Sequence, residues 1–99
     1  MNSLPSLIAF LAISIHGFQF QPKTMVVPAG TRVVWTNQDE IEHTVTADSA
    51  AGGVAFNADL SGKGRTFAFT FTTPGTYTYS CARHSFMRGE IRVTPKGDH

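Results

Sequence analysis

The sequence predicts an all-β domain, a sandwich or a barrel. Three observations carry this. Apolar and polar residues alternate with period two in several short runs, Gly and Pro punctuate the runs at short spacing, and no stretch shows helical periodicity of any length. Ile13 and Ile15 alternate with Ser14 and His16 until Gly17 breaks the pattern, and Phe18 and Phe20 then alternate with Gln19 and Gln21 up to Pro22. Pro28-Ala29-Gly30 is a turn signal, and residues 31–36 (TRVVWT) have the β-branched and aromatic content of a strand. Residues 37–40 are a polar connection, and residues 43–46 are short and β-prone. Residues 47–64 are read as loop with short strand pieces. Phe67, Phe69 and Phe71 alternate with Ala68, Thr70 and Thr72, which predicts a strand with an aromatic face toward the core. After the Pro74-Gly75 turn, Tyr77, Tyr79 and Cys81 alternate with Thr76, Thr78 and Ser80, and Ile91 and Val93 alternate with Glu90, Arg92 and Thr94.

The chain has 99 residues, 41% of them hydrophobic and 15% charged, enough for one domain with one core. Its net charge is +1 and its Lys and Arg are scattered, which argues against nucleic acid and against an anionic membrane surface as partners. Residues 1–12 (MNSLPSLIAFLA) are expected to be a remnant of an export signal or an extended first strand, and residues 13–99 a single domain. The apolar part of that segment is too short to span a bilayer.

The chemistry concentrates in residues 81–87 (CARHSFM). Cys81, His84 and Met87 put a thiol, an imidazole and a thioether at spacings of three in one loop between two strand-like segments, so all three side chains can turn toward one point. Soft sulfur with imidazole selects copper or zinc over magnesium or calcium. His43, at the start of a short strand after a polar turn, is the fourth candidate ligand. Two His and one Cys in a plane with a weak axial Met is the blue-copper arrangement. Zinc is the main rival, but a structural zinc site prefers several thiolates, and Met is a poor zinc ligand. With one cysteine the chain forms no internal disulfide and no two-cysteine binuclear centre.

Each residue also has a plainer reading. A lone inward Cys is commonly a small buried hydrophobe, and a lone Met is commonly core filler. The trio in one loop, with an upstream His in a β-rich domain, outweighs those readings together. A cysteine-protease reading lacks a base held by a third group and an oxyanion site. Trp35, Phe67, Phe69, Phe71 and Tyr79 are expected in the core, and Tyr77 is expected at a sandwich corner with its hydroxyl bonded to backbone. His16 and His99 are expected to be solvated and not ligands.

Val34-Trp35-Thr36-Asn37, His43-Thr44-Val45, residues 75–81 (GTYTYSC), His84, Met87 and residues 89–93 (GEIRV) occur in an order that resembles the cupredoxins of plastocyanin and pseudoazurin type. The short ligand loop and its Phe86-Met87-Arg88-Gly89 end are most amicyanin-like. The resemblance implies a two-sheet Greek-key β-sandwich of about seven to eight strands, with one type 1 copper ion near one end. It implies that His43, Cys81 and His84 are the strong ligands and Met87 the axial one. It further implies that the Thr44 N–H donates to the thiolate, where many relatives carry Asn, and it gives Asn37 a place in rigidifying the connection to His43. The implied function is to carry single electrons between larger redox proteins, and no catalytic reaction is expected. The donor would be a dehydrogenase or cytochrome complex, and the acceptor a c-type cytochrome or oxidase. The alternative is a copper-binding or copper-delivery protein without an electron-transfer role. The protein is expected to be a monomer in the periplasm or another extracytoplasmic compartment. The electron exit and docking patch would be His84, Ser85, Phe86 and Arg83, apolar in the main, with Pro28 and Ala29 as neighbours. Arg83 and Ser85 replace prolines of typical amicyanins, and the Arg83 charge would favour a partner with acidic groups.

Overall fold

The computed structural model describes residues 10–48 and 56–96. Among the described residues there are nine strands: β1 (Phe10–Ile15), β2 (Phe20–Gln21), β3 (Thr24–Pro28), β4 (Thr31–Asn37), β5 (His43–Ala47), β6 (Asn57–Leu60), β7 (Thr66–Phe71), β8 (Gly75–Ser80) and β9 (Arg88–Thr94). No helix occurs among the described residues. The strands make one sheet of order β2-β1-β4-β7 and another of order β3-β9-β8-β5-β6. This is the two-sheet sandwich, not a barrel. Nine strands exceed the expected seven to eight because β2 and β6, at two and four residues, are too short for a period-two pattern to mark them. β1 runs parallel to β4 and takes in Phe10–Ala12. Residues 1–9 lie outside the described residues.

The core forms where the two inner faces meet. Ile13, Ile15, Val33, Trp35, Phe71, Tyr77, Tyr79 and Ile91 are all buried, as the period-two patterns of their strands require. Tyr77 donates its hydroxyl to the Thr73 carbonyl, the expected corner bond. The aromatic strand β7 departs from expectation in part. Phe71 is buried, whereas Phe67 and Phe69 are only half-buried and pack against the core. Phe56, inside the stretch read as loop, is a core residue instead. Its ring packs on those of Trp35, Phe69, Phe71 and Tyr79. A single aromatic without alternating neighbours gives no periodic signal.

Strand register brings the candidate site together at one end. β5 and β8 pair antiparallel, with Thr46 opposite Ser80 and Ala47 opposite Tyr79. Continued past the ladder, that register sets Val45 beside Cys81 and Thr44 beside Ala82. β1 pairs in parallel with β4 so that Ile15 lies opposite Asn37, and the β1–β2 turn therefore reaches the same end. Pro28 pairs with Thr94 at the far end of β9 from Met87.

Candidate metal centre

Asn37 closes β4 and organises the route from there to His43. Its side chain is fully buried. Its Nδ2 donates to the carbonyls of Ile41 and Leu60, at 2.9 and 3.1 Å, and its Oδ1 accepts the Asp39 N–H at 2.8 Å. An amide with two donors and an acceptor can satisfy a tight turn and a neighbouring strand at once. The turn is thereby fixed, and β5 begins on His43 with that side chain wholly buried.

The loop between β8 and β9 is closed by its own backbone. The N–H groups of Cys81, His84 and Met87 donate to the carbonyls of Met87, Cys81 and His84, at 3.1, 3.2 and 2.8 Å. Every predicted ligand of the loop takes part in this closure. Cys81 and Met87 are buried, while His84 is half-buried and reaches the surface.

His43 Nδ1 and His84 Nδ1 each lie 3.7 Å from Cys81 Sγ, and the three ligand atoms fall within 4.8 Å of one another. Two imidazole nitrogens converging on a thiol sulfur at these separations surround a common point within metal-ligand reach of all three. The donors suit a soft ion held by two His and one Cys. The Thr44 N–H donates to Cys81 Sγ at 3.3 Å. The Thr44 side chain adds a second tie, because its Oγ1 accepts the Ala82 N–H at 2.7 Å. Thr therefore does bond to the ligand loop through its side chain. The same hydroxyl is in hydrogen-bond contact with Thr46 Oγ1, at 2.9 Å, along β5.

In the sequence Asp39 is one residue of a polar connection. In the structure its Oδ2 lies 2.8 Å from His43 Nε2. A carboxylate only accepts, so Nε2 carries the hydrogen and Nδ1 is left free to bind metal. Oδ1 also accepts the Gly17 N–H at 2.9 Å, and Oδ2 the Phe18 N–H at 3.0 Å. Burial alone would raise the Asp39 pKa, but these two backbone donors and the imidazole outweigh it and hold the carboxyl below its ordinary value. A carboxylate four residues before a candidate ligand His, across a turn, was the available signal.

The surroundings of His84 differ from the expected patch. Pro28 and Ala29 are at the opposite end of the sheet, because β3 runs parallel to β9. Phe18 takes their place: its ring centroid is 5.2 Å from that of His43, 4.9 Å from that of His84 and 6.4 Å from that of Phe86. Phe86 is 72% exposed and Phe18 is 38% exposed, so the apolar face is open to solvent. Arg83 and Ser85 are exposed beside it. The Arg83 guanidinium is not a free charge, since it pairs with Glu42 at 3.1 Å. His16 is exposed and is not in the ligand cluster. His99 lies outside the described residues.

Residues 9–94 match the family of copper-binding proteins that comprises plastocyanin and azurin. The chain belongs to that family. Amicyanin-alpha of Methylorubrum extorquens is 33% identical over 85 residues, covering 82% of this chain and 69% of its own length. Amicyanin of Paracoccus denitrificans is 30% identical over 84 residues, covering 84% of this chain and 64% of its own, so the chain spans about two thirds of the amicyanins it matches. Plastocyanin A/B of Petroselinum crispum is 30% identical over 86 residues, with 78% of this chain and 89% of the plastocyanin covered. Among solved structures, an oxidised amicyanin variant superposes with a TM-score of 0.78 at 28% identity, covering 85% of this chain and 81% of the other. A Cu(I) form of another amicyanin variant gives 0.77 at 29% identity, with the same coverage of each chain. Family and donor set agree on one type 1 copper ion as the cofactor of this cupredoxin.

Proposed function

We propose that this cupredoxin carries single electrons between larger redox proteins, and that His43, Cys81, His84 and Met87 are the residues that would hold its copper. The observation that carries the reading is the convergence of both Nδ1 atoms on one buried thiol at 3.7 Å. When bound, the copper ion supplies a one-electron couple, Cu(I)/Cu(II), to which imidazole, thiolate and thioether are all acceptable ligands. The protein's own part is to hold those ligands still. His43 is fixed by Asp39, Cys81 by the Thr44 N–H, and the loop by Thr44 Oγ1 and its own backbone bonds. Ligands that need not move keep the rearrangement accompanying each transfer small.

His84, Ser85, Phe86 and Arg83 would form the electron exit, joined by Phe18. His84 would hold the metal through Nδ1 and its ring reaches the apolar surface, so the ring would be a short path from the metal to a docked partner. The partners are a donor such as a dehydrogenase or cytochrome complex and an acceptor such as a c-type cytochrome or oxidase. We assign no catalytic reaction, because four protein ligands would leave no open position for a substrate. As the resemblance implies, we place the protein in the periplasm or another extracytoplasmic compartment, as a monomer.

Copper delivery without electron transfer suits exposed ligands that can be exchanged. Here His43 and Cys81 are wholly buried and Met87 nearly so, which favours retention of the metal. Voltammetry of the copper-loaded protein tests the choice. An electron carrier gives a reversible one-electron wave and keeps its copper through repeated cycles. Loss of copper to a Cu(I) chelator at each reduction would support the delivery reading instead.

A further inference from the structure

The β1–β2 turn is built in an unfavourable way. His16 and Gln19 exchange backbone hydrogen bonds, at 3.0 and 3.2 Å, around a two-residue loop of Gly17 and Phe18. Both loop residues have positive φ, 63° and 61°. This is the backbone of a type I′ hairpin turn, which favours Asn-Gly or Gly-Gly. A bulky aromatic at the second position is rarely tolerated in the left-handed region and points to a functional constraint.

The conformation has two consequences. It turns the successive N–H groups of Gly17 and Phe18 toward one carboxylate, that of Asp39, an arrangement of backbone donors that holds an anion. It also lays the Phe18 ring edge-on against both His43 and His84, with Phe86 stacked beyond it. The same Oδ2 that accepts the Phe18 N–H accepts His43 Nε2–H. One carboxylate thus fixes a buried candidate ligand and the aromatic residue that roofs it.

We propose that Asp39 is a positioning residue that couples His43 to Phe18, and that the Phe18 ring, held there, is a contact that a second copy of this chain meets when the two exchange electrons. Asn cannot replace Asp39 in this role. Three donors converge on the two carboxylate oxygens, and turning either oxygen into an NH2 sets a donor against at least one of them. The rate part of this proposal rests on the electron-carrier reading, whereas the structural part does not depend on copper.

The test uses the full chain with Asp39→Asn, Phe18→Gly and the double variant. Gly suits the positive φ of residue 18, so the turn is expected to persist in Phe18→Gly. In the metal-free protein, Asp39→Asn is expected to speed amide exchange at Gly17 and Phe18 by about tenfold and to weaken the proton NOEs between Phe18 and His84. In the copper-loaded protein, electron self-exchange is expected to fall in Asp39→Asn to the level of Phe18→Gly, with the double variant no slower than either. The proposal is overturned if Asp39→Asn shifts the His43 ring signals while the Phe18 amides and NOEs stay as in the wild type. It is equally overturned if the losses in the double variant multiply. Failure of the wild-type copper protein to self-exchange would count against the electron-carrier reading, and the metal-free NMR data would still decide the positioning role of Asp39.

Discussion

Tyr79 lies two residues before Cys81, with its hydroxyl buried and without a hydrogen-bonding partner among the described residues. Burial pushes its pKa up to about 12, against an ordinary 10.0, and the nearby Trp35 indole N–H offsets only part of that. With the folded-state pKa raised, this group leaves stability unchanged below pH 10 and lowers it as the pH rises toward 12. The loss amounts to about 3 kcal/mol. Tyr79→Phe is therefore expected to flatten the fall in stability between those pH values, measured by denaturant unfolding across the range. At neutral pH it should match or exceed the wild type by about 1 kcal/mol, since the removed hydroxyl makes no bond. Thr44 presents the opposite case, because its hydroxyl holds the Ala82 N–H. Thr44→Val keeps the shape and the N–H bond to Cys81 and removes only that acceptor. It is expected to cost about 1 kcal/mol and to speed amide exchange at Ala82, with the band of the copper site retained.

Among the elements, β8 and β9 depend on a glycine. Tyr79 faces Gly89 across the ladder, and a Cβ at Gly89 would lie 2.3 Å from the Tyr79 Cζ and hydroxyl. The Tyr79 ring cannot swing away, being packed against Phe20, Trp35 and Phe56. Gly89→Ala should destabilise the fold by about 1–3 kcal/mol, seen as a lower urea midpoint with an unchanged slope. The strands and this end of the site were legible in the sequence because period-two alternation and a Cys-His-Met loop leave local marks. Register leaves none. In the sequence Phe18 is therefore only an alternating residue, and no local mark shows that β3 carries Pro28 and Ala29 to the end away from His84. Phe56 acquires its role from strands distant in sequence, and so does the part of Asp39 that holds the Gly17 and Phe18 N–H groups, although its bond to His43 spans only four residues.

At the scale of the molecule, the net charge is +1, and of the charges near the exit Arg83 pairs with Glu42 and Arg88 with Asp48, while Lys23 lies beside Phe18 and Phe86. Two such molecules repel weakly, and the face they would share is apolar. Electron self-exchange, followed by NMR line broadening in partly oxidised samples, is expected to change by less than about twofold between about 0.01 M and 0.5 M salt. A steep salt dependence would mean that charged groups, not the Phe18–His84–Phe86 face, govern the encounter. The central claim is that Cys81, between two imidazoles, holds copper through its thiolate. The most direct measurement is the visible spectrum of the full chain on addition of Cu(II), beside that of Cys81→Ser. The structure predicts an intense thiolate-to-copper band in the first and none in the second. No band in the wild type, or a band that survives in Cys81→Ser, would contradict it.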